Sequence, residues 1–289
     1  MSPAGLFCWG YTKGAENSMP ATPVFASFRF YGELNDHLPP GQRNRTIPKS
    51  FIVSASAKDM IESLGVPHPE VDLILVNGDP ADFSRLIRSG DRVAVYPAFE
   101  SIDISSLLHH RPQALAEPKF VVDVHLGRLA AYLRMLGFDA IYDNNADDSD
   151  LVRMSREQQR TLLTRDRGVL KHSAVIHGYW VRETDTQRQL AEIVNRFDLP
   201  RLLRPFSRCM VCNELLKPAS KKEISSRVPP RVLEWCEEFR ECRGCRRVYW
   251  EGSHSLRMRS WMERISGRQC ANPGPGTAQQ TSPDQGMIR

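Results

Sequence analysis

The spacing of apolar and polar residues divides the chain into two regions with different patterns. Residues 25–100 predict the order strand, strand, helix, strand, strand, from FASFRFYG, SFIVSA, AKDMIESLG, DLILVNG and DRVAVYP. From Lys119 onwards short apolar strands alternate with helices, a pattern typical of a parallel sheet. The fold class that we predict is therefore α/β, with a β-rich region first and a parallel sheet after it.

The second region begins with the strand FVVD and a helix that has one apolar face. That face carries Leu126, Leu129, Ala130, Leu133 and Leu136. Further strands are predicted near Ala140, at TLLT and in AVIHGYWV, with a helix at LVRMSREQQ. A last helix follows Thr184, which has capping-box spacing to Gln187. These elements predict a three-layer α/β unit over residues 119–200.

Acidic residues follow two of these strands. Asp123 comes directly after FVV, and Asp166 ends TLLTRD. Because the carboxyl ends of parallel strands meet at one edge of a sheet, these carboxylates are expected to lie close together. Asp148, at the start of a predicted helix, is the third candidate. Carboxylate oxygens suit Mg²⁺ or Mn²⁺, ions that assist phosphodiester hydrolysis.

The same acids have structural interpretations. Asp147, Asp148 and Asp150 stand where caps and first-turn acids stabilise any helix. Asp166 also suits a turn or cap, and Asp143 suits an Asx-turn. Asp123 has the weakest structural alternative, because it separates a buried strand from an apolar helix. An aspartyl-phosphate enzyme is not expected, since it would need a second Asp two residues after the first and position 125 is histidine. A nucleophilic Ser enzyme is not supported either, because there is no G-x-S-x-G motif.

Four of the seven cysteines form two C-x-x-C pairs. The pairs are Cys209 with Cys212 and Cys242 with Cys245, and these four residues are the predicted zinc ligands. Four thiolates in two such pairs predict a tetrahedral structural Zn²⁺ site with no open position for catalysis. The sequence between the pairs allows a helical insertion. Cys8, Cys236 and Cys270 are predicted to be simple thiols, and a disulfide framework is not expected.

Positive charge is concentrated near the second cysteine pair. Residues 201–268 contain 16 Lys and Arg against 8 Asp and Glu, whereas the whole chain has a net charge of +5. Arginine interleaved with aromatic residues favours binding to RNA phosphates and bases, although a solvated basic face is the alternative. The candidate RNA-binding residues are Arg165, Arg246, Arg247, Trp250 and His254.

The ends of the chain and one internal segment have no apolar periodicity. We expect disordered tails at residues 1–23 and 266–289 and a linker at residues 102–118. There is no secretory leader pattern and no apolar run of membrane-spanning length. The expectation is a cytoplasmic protein that has no membrane partner.

Several motifs together resemble the Mut-seven C-terminal RNase family over residues 119–265. They are FVVDVHLGRLAAYLRMLGFDAIYDNNADDSDL, TLLTRDRGVLK, CMVC, CRGC and VYWEGSH. The resemblance implies a PIN-like nuclease domain at residues 119–200 and a zinc ribbon at residues 201–265. It also implies Asp123, Asp148 and Asp166 as metal-binding acids, with Asp143, Asp147 and Asp150 as further contributors.

Residues 25–100, with SLGVPHPEVDLILVNG and GDRVAVYP, resemble the ubiquitin-like domain that precedes this nuclease. The resemblance implies a β-grasp domain at residues 24–101. Related sulfur carriers need a free terminal Gly-Gly, whereas this chain continues through PAFESID, so sulfur transfer is not expected. Docking to a protein or to the ribosome is the expected role.

The leading hypothesis is a Mg²⁺- or Mn²⁺-dependent ribonuclease whose zinc ribbon aids RNA binding. A non-catalytic RNA- or ribosome-binding adaptor is the alternative, and in it the acids only cap helices. A toxin of a toxin–antitoxin pair is less favoured, because such toxins usually consist of the nuclease domain alone.

Overall fold

The computed structural model describes residues 24–97 and 117–252. The chain divides into two compact units, the first from Met1–Gly65 with Leu73–His109 and the second from Val66–Asp72 with His110–Arg289. Both predicted tails, the linker up to residue 116, and His254 lie outside the described residues. No helix in the described ranges combines the length and apolar character that a membrane crossing needs.

Unit 1 contains a five-stranded mixed sheet. Its strands are β1 (Val24–Phe30), β2 (Ile47–Phe51), β3 (Leu73–Val76), β4 (Asp79–Ala81) and β5 (Arg92–Tyr96). The order is β2-β1-β5-β3-β4, with β1 and β5 parallel in the middle and every other pair antiparallel. Helix α1 (Ala57–Ser63) is capped by Ser56, which accepts a hydrogen bond from the Asp59 N–H. This arrangement confirms the predicted β-grasp fold.

Two details of unit 1 differ from the prediction. The second strand begins at Ile47, before the predicted SFIVSA, and it contains Pro48. Because β2 is an edge strand, a proline there removes no hydrogen bond from the sheet. Strand β4 was not predicted, although Asn77 and Gly78 before it both have positive φ and are typical of a tight hairpin turn.

Unit 2 contains a four-stranded parallel sheet in the order β7-β6-β8-β9. The strands are β6 (Lys119–Val122), β7 (Asp139–Ile141), β8 (Thr161–Thr164) and β9 (Gly178–Trp180). Helices α2 (Gly127–Met135) and α5 (Thr186–Arg196) share one core with Phe120 and Val122. Helices α3 (Asp148–Glu157) and α4 (Arg167–Leu170) share the other core with Val121. The predicted three-layer fold with a parallel sheet is confirmed.

The connections of this sheet place two acids at the carboxyl ends of adjacent strands. Strand β6 leads through α2 to β7 on one side, whereas α3 and α4 cover the opposite face. The chain therefore changes direction between β6 and β8, and ligands of such sheets bind in the crevice outside the carboxyl ends of these strands. Asp123 follows β6 and Asp166 follows β8.

Residues 208–252, which we call the ribbon, carry a three-stranded antiparallel sheet. Its strands are β10 (Leu216–Ala219), β11 (Phe239–Cys242) and β12 (Val248–Trp250). The predicted helical insertion is present between β10 and β11 as α6 (Lys221–Ile224) and α7 (Pro230–Trp235). Cys236 is a buried free thiol that packs with Ile224 and Phe239.

Candidate active site and metal centre

Asp123 is a buried carboxylate with specific partners. The residue is only 6% exposed. Oδ1 accepts a hydrogen bond from the His125 N–H at 3.3 Å, and Oδ2 accepts one from the Thr164 hydroxyl at 2.5 Å. A buried charge is costly unless it has such donors or a cation. Asp123 is therefore held in one orientation at the end of β6.

Thr164 joins the two strand-end acids. It is the last residue of β8 and is fully buried. Its hydroxyl donates to Asp123 and accepts from the backbone N–H of Asp166 at 2.9 Å. The carboxylate of Asp166 is exposed and caps α4 by accepting from the Gly168 N–H at 2.6 Å. The Thr164 hydroxyl therefore links the carboxylate of Asp123 to the backbone N–H of Asp166.

The segment from Asp143 to Asp150, which we call the acidic loop, makes mainly local hydrogen bonds. Asp147 caps α3 by accepting from the Asp150 N–H at 2.9 Å, and the Ser149 hydroxyl donates to it at 2.6 Å. The Ser149 hydroxyl and the Asp150 N–H lower the pKa of Asp147 below its ordinary value. Asp143 accepts from the Asn145 N–H at 2.9 Å, which is an Asx-turn. The capping and turn interpretations thus describe these two acids.

Asp148 and Asp150 differ within the first turn of α3. Asp150 pairs with Arg153 at 2.5 Å. Asp148 is exposed, and its carboxylate makes no hydrogen bond or ion pair within the described part of the chain. Among those residues no three carboxylate or imidazole groups lie within 4.8 Å of one another. Asp148 as a third metal ligand therefore stays a prediction.

Tyr142 anchors the acidic loop near Asp123. The Tyr142 hydroxyl donates to the carbonyl of Val124 at 3.1 Å. A Cβ at Gly127 would lie 2.8 Å from the Tyr142 Cζ and hydroxyl oxygen, so a larger residue there would displace the end of the tyrosine side chain. Tyr142, the residue before Asp143, is thus held beside Val124, the residue after Asp123.

A group of cations and one aromatic ring flanks the acid that caps α4. The Arg165 guanidinium donates to the carbonyls of Arg182, at 3.2 Å, and of Glu183. The Trp180 indole N–H donates to the Arg165 carbonyl at 3.2 Å. The guanidinium groups of Arg167 and Arg182 each lie 5.2 Å from the centroid of the indole ring. Arg167 and Trp180 were not predicted from the sequence; Arg167 is the first residue of α4 and Trp180 is the last residue of β9.

The predicted RNA-binding residues of the ribbon have different surroundings. Trp250 is half-buried and packs against the ribbon core, and Arg247 is half-buried. Arg246 is exposed, and its Nε lies 3.0 Å from the buried carboxylate of Glu241. Arg227 and Lys217 also contact Glu241, at 2.9 and 3.4 Å. Their roles in binding RNA stay predictions.

The four paired cysteines meet in the ribbon. The Sγ atoms of Cys209 and Cys245 are 3.6 Å apart, those of Cys212 and Cys242 are 3.3 Å apart, and all four lie within 4.8 Å of one another. A tetrahedral zinc site with bonds of about 2.3 Å has sulfur–sulfur distances of about 3.8 Å. The donor set and its spacing therefore fit Zn²⁺.

The two cysteine pairs form similar turns. The N–H of Cys212 donates to Cys209 Sγ, and the N–H of Cys245 donates to Cys242 Sγ, both at 3.4 Å. The residue after each pair has positive φ, 69° at Asn213 and 65° at Arg246. The repeated turn presents two sulfur atoms from each pair to one point.

The thiols are in unlike electrostatic surroundings. Burial alone would raise the pKa of Cys209, but the Cys212 N–H and the Tyr249 hydroxyl lower it to about 7. Burial raises the pKa of Cys242 to about 12. Because metal ligands must be thiolates, binding of a cation would remove protons from this cluster.

Comparison with solved structures found two small proteins of Haloferax volcanii. The crystal structure of H. volcanii small archaeal modifier protein 1 has 18% identity and a TM-score of 0.22, covering 26% of this chain and 99% of that one. The solution structure of the Haloferax volcanii HVO 2177 protein has 19% identity and a TM-score of 0.23, covering 32% and 99%. No curated protein matches the chain.

Two family models match the chain in succession. The model described as Mut7-C ubiquitin matches residues 23–103. The model described as Mut7-C RNAse domain matches residues 118–262, which contain the strand-end acids and the four paired cysteines. The chain therefore belongs to the Mut7-C RNAse domain family, with a Mut7-C ubiquitin domain ahead of the RNAse domain.

Proposed function

We propose that the protein is a metal-dependent ribonuclease that hydrolyses RNA phosphodiester bonds with Mg²⁺ or Mn²⁺ held by Asp123, Asp148 and Asp166. The observation that carries the proposal is the Thr164 hydroxyl, which contacts both the Asp123 carboxylate and the backbone N–H of Asp166, at the point where the parallel sheet changes direction. Membership of an RNAse domain family supports a nuclease-type activity.

The chain's own groups suit this role. Each oxygen of a carboxylate can accept two hydrogen bonds or metal contacts, so both oxygens of Asp123 keep capacity beside their present donors. Asp166 uses one oxygen on the Gly168 N–H, which leaves the other available. A divalent ion bound there would activate water and neutralise charge on the phosphoryl oxygens.

The substrate would meet cations on two surfaces. Arg165 and Arg167 flank Asp166, and their charge favours the RNA backbone. Arg246 and Arg247 with Trp250 would extend the contact over the ribbon, which Zn²⁺ bound to the four cysteines would hold together. In this proposal residues 119–200 form the nuclease domain and residues 201–265 the zinc ribbon. The ubiquitin-like domain, residues 24–101, would dock to a protein or to the ribosome.

A non-catalytic RNA-binding adaptor is the second candidate. The observation that favours it is the use of Asp147 and Asp166 as helix caps, since capping alone is sufficient reason for an acid at either position. This candidate keeps RNA binding and has no hydrolysis.

Cleavage of a mixed RNA pool by the purified full chain tests the proposal. Mg²⁺ or Mn²⁺ is added or left out, and no chelator is used, because a chelator would also remove zinc from the cysteines. Asp123→Asn keeps the size of the side chain, and we expect it to abolish cleavage. Asp185→Asn is the matched control, because Asp185 caps α5 and asparagine caps equally well. Wild-type cleavage by the Asp123 variant, or RNA binding without any cleavage by the natural chain, would favour the adaptor.

A further inference from the structure

Arg134 is a buried cation that reaches from the parallel sheet into the cysteine site. It lies on α2 and is 4% exposed. Its Nε donates to the carbonyl of Ala140 at 2.7 Å. Its Nη1 donates to the carbonyls of Met210 at 3.1 Å and Val211 at 2.8 Å, the two residues inside the first C-x-x-C pair. One side chain thus contacts both the edge strand β7 and the turn that presents two of the four sulfur atoms.

The first cysteine turn takes the place of a missing neighbour of β7. Strand β7 is an edge of its sheet, yet both backbone groups of its central residue bond to side chains. The Ala140 carbonyl accepts from Arg134, and the Ala140 N–H donates to Asn213 Oδ1 at 3.2 Å. Asn213 also donates to Asp139 at 2.8 Å. At Ala140 the edge strand therefore offers no free backbone group to another chain.

An ion cluster joins the same two parts. The carboxylate of Asp139, the first residue of β7, lies 2.6 Å from Arg160 and 3.5 Å from Arg208, the residue before Cys209. The hydrogen bonds of Arg134 itself go only to carbonyl oxygens within the described residues. A buried cation needs negative charge nearby to offset its lost hydration.

The cysteine cluster would supply negative charge once a metal ion holds its sulfur atoms as thiolates. Burial lowers the pKa of Arg134, whereas the nearby side chains of Cys209, Cys212 and Asp139 raise it. Four thiolates around one divalent ion carry a net charge of about −2. The metal-bound cluster is therefore a suitable counter-charge for a guanidinium beneath its first turn.

We propose that Arg134 is a positioning residue of the cysteine metal site, which couples zinc binding to the closure of the β7 edge. The guanidinium orients the carbonyls of Met210 and Val211, and the thiolates stabilise the buried charge. Zinc affinity and the order of β7 thus depend on each other. The inference concerns a structural metal and does not rest on the proposed nuclease activity, so loss of either idea leaves the other open to test.

The test measures zinc affinity of the full-length, zinc-loaded chain by equilibrium competition with a chromophoric zinc chelator. Arg134→Met removes the charge and the hydrogen bonds, and we expect the zinc dissociation constant to rise about 10- to 100-fold, as for other residues that orient metal ligands. Arg134→Lys keeps the charge but lacks the planar guanidinium, and its zinc dissociation constant should lie between those of the natural chain and of Arg134→Met. Arg128→Met, an exposed arginine on the same helix, should leave zinc affinity unchanged.

Two further measurements separate positioning from general loss of stability. Val152→Ala opens a cavity in the opposite core, which does not include the ribbon, and should leave zinc affinity unchanged. In the natural chain, zinc removal should speed hydrogen exchange at the Ala140 amide. The proposal is overturned by natural zinc affinity in Arg134→Met, by equal weakening in Val152→Ala, or by Arg134→Lys binding zinc no better than Arg134→Met. If the methionine variant does not fold, Arg134→Lys against Arg128→Met decides the outcome.

Discussion

Replacing Thr164 with valine tests whether one hydroxyl organises the strand-end acids. Valine has nearly the same shape as threonine, so the change removes the hydroxyl and leaves the packing of a fully buried position nearly intact. Asp123 Oδ2 then loses its donor, and the Asp166 N–H loses its acceptor.

The expected loss of stability follows from these two contacts. A hydrogen bond to a charged group contributes about 1.5–3 kcal/mol, and an unsatisfied buried donor costs about 1–3 kcal/mol. Because the Asp166 N–H is only partly buried, we expect Thr164→Val to lower the free energy of unfolding by about 2–4 kcal/mol. Thr164→Ser keeps the hydroxyl and loses one methyl group, which costs about 1 kcal/mol.

Urea unfolding followed by tryptophan fluorescence measures stability, and RNA cleavage at increasing Mg²⁺ concentration measures the active site. Thr164→Val should either raise the Mg²⁺ concentration that gives half-maximal cleavage or lower the cleavage rate, by about 10- to 100-fold. Thr164→Ser should cleave RNA nearly as the natural chain does. Equal stability of the valine variant and the natural chain would refute the structural reasoning. A serine variant as impaired as the valine variant would show that the hydroxyl is not the cause.

Two further changes test the packing around β7. Gly137→Ala should lower the thermal midpoint, because Gly137 has a φ of +98° and a Cβ would overlap the Arg204 carbonyl. The left-handed backbone alone costs about 1–2 kcal/mol for a residue other than glycine. Gly41→Ala is the control and should be neutral, because a Cβ at Gly41 would meet open space. Burial raises the pKa of Asp139, but the hydrogen bonds from Arg160 and Asn213 outweigh burial and hold the pKa below its ordinary value. The contribution of Asp139 to stability is therefore fully present above its ordinary, unfolded-state pKa and is lost as the pH falls through the folded-state pKa. Between about pH 5 and about pH 3, urea midpoints should fall more steeply for the natural chain than for Asp139→Asn. Parallel slopes would contradict the assignment.

Local patterns predicted most elements of the second unit because each depends on neighbouring residues. The apolar runs FVV and TLLT and the helix between them are present in the structure. One cap was wrong: α5 is capped by Asp185, whose carboxylate accepts from the N–H groups of Gln187 and Arg188, in place of Thr184. The carboxylate offers a stronger acceptor one residue later, which the spacing rule does not consider.

The candidate site was only partly accessible to sequence reasoning. Strand-end position predicted Asp123 and Asp166 as candidate ligands, because parallel strands finish at one edge whatever their neighbours. Thr164 was missed, since an ordinary strand threonine gives no local signal of two hydrogen bonds to separate acids. Trp250, predicted to bind RNA, packs partly into the ribbon core, because the insertion between β10 and β11 covers it.

The sequence by itself determined the order of strands and helices, the acids that follow the strands and the pairing of cysteines, because these depend on periodicity and spacing along the chain. Only the tertiary structure decided that Arg134, in a helix whose other arginine at position 128 is exposed, is buried against the first cysteine turn. It also decided that the Thr164 hydroxyl contacts both the Asp123 carboxylate and the backbone N–H of Asp166. Such contacts link residues far apart in the chain, and their energy depends on burial and partners that no local pattern contains.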